Sequence, residues 1–317
     1  MKKFLLFFCL WFFFLYSPSF CEEINNSFFI GAIRTDGVLI PFAHYDSGTW
    51  SSPWPSTFYP DFPDSRSKSL NDSTITTLSK IPPAWAGSQK KIPVRWWKLG
   101  TQGYSSLTVT RPVIVASYCA KLWALLLSGR KPPQDSHSYE PLTGIATSVK
   151  LPVSKITTVR PNSPEWKKMF PFIQSLVDKK EIEKGSRLSE KVRRAGKMTV
   201  SMLFRNESVF LGEYYYFFEV KKEYPLPKYD QNNYLYWGGW IRKDKSGGLT
   251  FLKDEFFTVG VFENSIAQED IPLGIITLED TMYWIIDDRG YEGEACRIYR
   301  IGGDGITKVI DFYIGGC

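Results

Sequence analysis

The residues able to do chemistry in this chain are carboxylates, one mid-chain thiol and an unusual number of aromatic rings. Glu213, Glu219 and Asp288 lie in β-rich segments. Two of them would supply the acid and base of glycosidic bond cleavage if the fold set them at the required separation. Cys119 follows Ser117, and a helix through Ala124–Ser128 ending at Gly129 would place the thiol in its first turn, where a helix N-terminus lowers a thiol pKa. His44 or His137 would then act as base. Either arrangement describes a glycan- or peptide-directed hydrolase. Against it, a cysteine in an apolar segment is usually buried and inert.

The run Asp287-Asp288-Arg289-Gly290-Tyr291-Glu292-Gly293-Glu294 collects the oxygens that calcium takes. Aligned as an EF-hand loop from Asp288, however, it puts Gly290 third and Tyr299 twelfth, so the ligand set fails and a solvated β-turn is expected. The aromatic content is the most unusual feature, with 11 Trp, 17 Tyr and 23 Phe. In the segment 233–240, a period of two turns Tyr234, Tyr236 and Trp240 to one face and Trp237 to the other. Gly238-Gly239 allows the backbone to bend there and expose neighbouring rings. Exposed rings stack on sugar faces or fill interface pockets, which makes these four the ligand-binding candidates. Turned inward, the same rings would build a β core.

Asp46-Ser47-Gly48-Thr49 has the residue order found around the catalytic aspartate of aspartic proteases. That chemistry needs two carboxylates sharing one proton, and no second Asp-Ser/Thr-Gly occurs. A tight turn is the expected role. HExxH, paired CxxC, GxxxxGK, GxSxG and a GxGxxG after a strand are all absent from the sequence. Two histidines cannot build a multi-His metal site, and no metal or cofactor is expected.

Residues 1–21 have the layout of a secretory signal: Lys2 and Lys3, an apolar run from Phe4 to Tyr16, then Ser17 and Ser19. The run is shorter than the roughly 20 residues a membrane helix needs. The expected product is a soluble, exported protein, periplasmic or extracellular, with no membrane span after cleavage. Cleavage after Ser19 or after Cys21 fits, whereas lipidation of Cys21 is disfavoured by Phe20 before it. Loss of Lys2 and Lys3 lowers the formal charge from +6 to +4, well below the footprint of a nucleic-acid binder. The partners that remain are a glycan or an envelope protein. In an oxidising compartment Cys296 and Cys317, on expected neighbouring strands, are candidates for a disulfide. Asn25, Asn71 and Asn206 form sequons.

The elements that must position these residues read as mainly β, an antiparallel meander that is sandwich-like or irregularly propeller-like, with a kinked helical insertion near 163–195. Residues 22–160 form an N-terminal β region. It opens with a hairpin across Thr35-Asp36-Gly37, and a Pro/Ser-rich loop at 47–92, anchored by aromatics, interrupts it. Residues 161–197 form a basic helical insertion. Ser163-Pro164-Glu165 starts it as N-cap, N1 proline and first-turn acid, and Pro171 predicts a kink or two short helices. Residues 198–317 carry turn signals every 8–14 residues and read as antiparallel strands. The segment 165–197 has ten Lys/Arg and five Asp/Glu, while 254–304 has twelve acids and three Arg. Blocks of opposite sign can face one another or different partners.

Overall fold

The structure is a computed structural model. It describes residues 27–54, 91–101, 103–117, 120–130, 140–183, 188–206, 210–226, 234–260, 269–290, 293–302 and 305–316. The described chain is mainly β, and all its strand pairs are antiparallel.

The first seven strands are β1 (Ser27–Arg34), β2 (Val38–Asp46), β3 (Thr49–Ser51), β4 (Ile92–Lys98), β5 (Ser105–Ser117), β6 (Ala120–Leu127) and β7 (Leu142–Thr147). Their order is β1-β7-β4-β5-β6-β2-β3, and β1 also pairs with β2, so six strands close into a barrel with β3 appended. The β1–β2 hairpin turns where the Asp-Gly pair stands. Gly37 takes φ 83°, and Asp36 Oδ1 accepts the Val38 N–H. Such a positive φ suits glycine, which has no Cβ to clash. Alternation sends Phe29, Ile33, Leu39, Val94, Val109 and Leu125 into one cluster inside the barrel. Their neighbours Phe28, Ile30, Val38 and Ile40 point outward into a second cluster. The segment 124–128 is not helical, because Ala120–Leu127 pairs with β5 as a strand.

The remaining strands form two five-stranded sheets. β8 (Val153–Ser154) and β9 (Ile156–Thr158) are separated by Lys155 alone, yet β8 pairs with β14 and β9 with β10. One chain corner therefore ties the edges of both sheets together. The first sheet runs β13-β12-β11-β10-β9, with β10 (Lys197–Asn206), β11 (Tyr214–Glu223), β12 (Tyr234–Lys243) and β13 (Leu249–Gly260). The second runs β17-β16-β15-β14-β8, with β14 (Glu269–Leu278), β15 (Thr281–Arg289), β16 (Gly293–Gly302) and β17 (Gly305–Gly316). The sheets pack face to face through Phe217, Trp240, Trp284, Ile286 and Tyr299. The outer face of the second sheet packs on the barrel, where Ile276, Ile285 and Ile298 meet Phe28, Ile40 and Val115. Aromatics seal this seam, with Trp50 lying 5.0 Å from Tyr45 and 5.3 Å from Tyr283.

The outer face of the first sheet is covered by α1 (Pro164–Glu183). Ser163 caps it, its Oγ accepting the Trp166 N–H at 3.1 Å. Glu165 ties the first turn to the sheet through Arg205 at 3.1 Å and the Tyr216 hydroxyl at 2.6 Å. The helix runs through Pro171 without the break expected there. An interior proline costs about 3 kcal/mol, but Met169, Ile173 and Val177 are fully buried, and each such side chain contributes about 1.5–3 kcal/mol. The helical insertion is interrupted later, before α2 (Glu190–Ala195), which Ser189 caps. The layers are thus helix, sheet, sheet and barrel.

Both sheets end in a long outer strand, β13 and β17, and both of these strands are bulged twice. Leu252 and Glu255 are the extra residues on β13, and Val309 and Ile314 those on β17.

Candidate functional site

Of the four ring candidates, three are packed away. The β12 faces separate as period two requires. Trp237 lies on the helix side, its ring 5.1 Å from Phe218 and its Nε1 donating to Asp254 at 2.7 Å. Trp240 lies between the sheets, 5.1 Å from Trp284 and 5.3 Å from Tyr299. Tyr236 is buried on that same face, and Tyr234 is half-buried at its rim. Lys221, opposite Tyr236 in the ladder, places its ammonium 4.4 Å from the Tyr234 ring and 5.7 Å from the Tyr236 ring. This cation–π contact closes the space between the two rings. Gly238 opens nothing either, since a Cβ there would sit 2.3 Å from the Phe256 ring.

The carboxylates give a sharper result. Glu219 and Asp288 are brought together, Glu213 is not. Glu213 lies at the other end of β11, bonded to the Tyr215 hydroxyl. Glu219 Oε1 accepts the backbone N–H of Asp270 at 3.0 Å, and Asp270 is the cross-strand partner of Asp288. Asp288 is ion-paired to Arg297 at 2.6 Å. Asp270 is 1% exposed, and neither of its oxygens has a hydrogen-bond donor. Burial first, then the Asp288 and Glu219 charges, pushes its pKa well above the usual carboxylate range.

Asp287 points the other way, toward the barrel. It is ion-paired to Arg289 at 2.7 Å and lies beside Glu294. Burial, followed by the Asp287 charge, pushes Glu294 up to about 8. The acidic run is therefore not a solvated turn, because Asp287, Asp288 and Glu294 are all buried. Among the described residues no group of three or more His, Cys, Asp or Glu converges to hold a metal ion.

Asp270 was not singled out in the sequence, although a count reaches it. Back from the turn at Glu279-Asp280, regular pairing sets Asp288 opposite Ile271, and one bulge at Leu273 shifts the partner to Asp270.

The other sequence candidates fall as follows. Asp46–Thr49 is a two-residue hairpin turn, with Ser47 at φ 47° and Gly48 at φ 91°, the signature of a type I′ turn. His44 Nε2 lies 3.0 Å from Ser27 Oγ, and burial lowers its pKa. Cys119 and His137 lie outside the described residues, as do Cys317, Asn25 and Asn71. Asn206 is buried, its Oδ1 accepting the Tyr215 N–H at 2.7 Å, which leaves that sequon unsuited to a sugar. Cys296 is a free, buried thiol. The expected neighbouring strands exist, but the ladder sets Phe312 opposite Cys296 and Gly316 opposite Gly293.

Among the described residues, depressions open to the surface at two places. One, of about 500 Å³, lies between α1, α2 and β11 and is lined by Asp178, Glu181, Glu190, Arg193, Arg194 and Lys222. Its charges satisfy one another. Lys222 meets Glu181 at 2.9 Å and Asp178 at 3.4 Å, Arg194 meets Glu190, and Arg193 donates to the Leu188 carbonyl. The other, of about 220 Å³, is a groove where the barrel meets the sheet corner. It is lined by Trp97, Leu99, Val153, Ile156, Pro272 and Leu273, with Lys98 and Lys155 as its charged residues. Tyr104, 44% exposed, stands 5.4 Å from Trp97. This ring pair, half-buried Trp97 with exposed Tyr104, was not among the ring candidates of the sequence.

No family model, curated protein or solved structure matches the chain. By its architecture it is an antiparallel all-β protein that joins a closed barrel to a helix-covered sandwich.

Proposed function

We propose that the protein is an exported, non-catalytic binding module of the cell envelope or extracellular space, and that an acidic glycan lies in the groove beside Trp97 and Tyr104. One contrast carries the reading. The acids able to transfer protons are shut between layers, with Glu219 and Glu294 each 3% exposed. Half-buried Trp97 and exposed Tyr104 stand at a groove whose charged residues are lysines. Ring faces offer apolar contact to a sugar face, and ammonium groups attract its carboxylates. Electrophoresis through gels containing polygalacturonate or alginate is expected to retard the protein, with dextran gels leaving it unaffected. Trp97→Ala combined with Tyr104→Ala weakens retention at least tenfold, about 1.4 kcal/mol, and Tyr104→Ala alone weakens it while leaving the thermal midpoint in place. Equal mobility in every gel overturns this ligand. Release of new reducing ends from a retained polymer would replace the module by a hydrolase.

Support for export comes from the Lys2-Lys3 start and the short apolar run to Tyr16, all outside the described residues. No described helix is long and apolar enough to cross a membrane. N-terminal sequencing of the exported protein is expected to begin at Ser19, Phe20, Cys21 or Glu22. An exported chain still beginning at Met1 rejects cleavage.

A further inference from the structure

Asp287 and Asp288 are consecutive on β15, so they project from opposite faces of the sheet, and each finds a second acid. On the sandwich side Asp288 faces Asp270, and on the barrel side Asp287 faces Glu294. Each pair also has one close arginine, Arg297 for Asp288 and Arg289 for Asp287. Both Asp270 oxygens, Asp287 Oδ1 and Glu294 Oε1 are buried without a hydrogen-bond donor. Two ionised carboxylates can only accept, so a proton on one member of each pair supplies the donor missing between them.

We propose that the sheet containing β15 holds one shared proton on each face, between neighbouring strands and beneath each covering layer, making the assembly acid-favoured, and that rising pH releases the barrel side first. The protons sit on Asp270 and Glu294, which donate to Asp288 and Asp287. The surroundings set the order of release. Asp270 also faces Glu219 from β11, Arg297 is shared with Asp311 of β17 at 3.1 Å, and Tyr299 nearby is bonded to Glu255 of β13 at 2.5 Å. A third acid holds the proton more firmly. Glu294 instead has Arg289 at 3.6 Å and Arg34 from β1 nearby, with Asp36 bonded to Arg34 and the Cys296 thiol beside the pair. Two guanidinium groups make ionisation easier there, in keeping with its value of about 8.

The direction of the pH effect follows from linkage. An unfolded glutamic acid loses its proton near pH 4.3, whereas the folded Glu294 keeps it to about 8. Stability from this pair is therefore complete below about pH 4 and lost progressively as pH rises to about 8. Asp270, raised well above the usual carboxylate range, acts in the same sense. Thermal midpoints of the full chain should fall by about 5 °C or more between pH 5.5 and 8.5. Glu294→Gln and Asp270→Asn carry the neutral form at every pH, so each variant's profile should be flatter than that of the wild type. Parallel profiles, or a wild-type midpoint that rises with pH, overturn the proposal. Infrared spectra of the wild type test it independently of how the variants fold. A protonated carboxylic acid band at pH 7 is expected, and its absence refutes the shared protons. Hydrogen exchange at pH 8.5 should quicken in β1 and β16 before β11 and β14, and the reverse order removes the barrel-first release.

Discussion

Trp240→Ala lowers the stability of the protein by about 3–5 kcal/mol, the cost of deleting a large buried ring and leaving its cavity. For a chain of this size that is a fall in thermal midpoint of about 5–8 °C. The ring is fully buried between the sheets, 5.0 Å from Phe217, 5.1 Å from Trp284 and 5.3 Å from Tyr299. Its ring neighbours come from three strands of two sheets, so local collapse cannot refill the space cheaply. Calorimetry of the purified variant checks this. A loss under about 1 kcal/mol would mean that the ring is not part of the core and would reopen the idea that β12 binds ligands through its aromatics.

Lys222→Met is expected to cost about 3–5 kcal/mol, because it strands a buried carboxylate. Lys222 and Glu181 are both buried, 2.9 Å apart, and Glu181 also accepts a bond from the Tyr224 hydroxyl. The pair bolts α1 onto β11 on the face that the helix covers. Glu181→Leu added to Lys222→Met removes both charges at once. The double variant should be at least about 2 kcal/mol more stable than the two single losses predict. Denaturant unfolding of the four proteins measures this coupling. Simple additivity would show that solvent, and not Lys222, neutralises Glu181.

Local signals were readable where a few adjacent residues decide the outcome. Asp36-Gly37 makes its hairpin, Ser47-Gly48 its tight turn and Ser163-Pro164 its helix start. Signals failed where distant chain decides. Ala120–Leu127 reads AKLWALLL, a run of good helix formers, yet it is a strand because β5 and β2 pair with it. Tertiary pairing overrides such propensities. Closure of the barrel rests on β4 meeting β7 and β7 meeting β1, pairings that no local pattern announces. The opposite facing of Asp287 and Asp288 follows from period two alone, but the acids that meet them do not. Asp270 was hidden because β14 begins at Glu269 and runs through Pro272, a residue that rarely stands inside a strand.

The doubled bulges on β13 and β17 bear on how the molecule keeps to itself. A barrel has no free margin, so the sandwich is where another chain would attach, and its two longest margins are these strands. An incoming strand must match the donor and acceptor spacing over several residues to gain purchase. Leu252 and Glu255 break that spacing on β13, and Val309 and Ile314 break it on β17, leaving uninterrupted stretches too short to template growth. The same kinks that end each sheet thus act as a brake on polymerisation, so that a chain rich in β-forming aromatics can be crowded without adding strand upon strand.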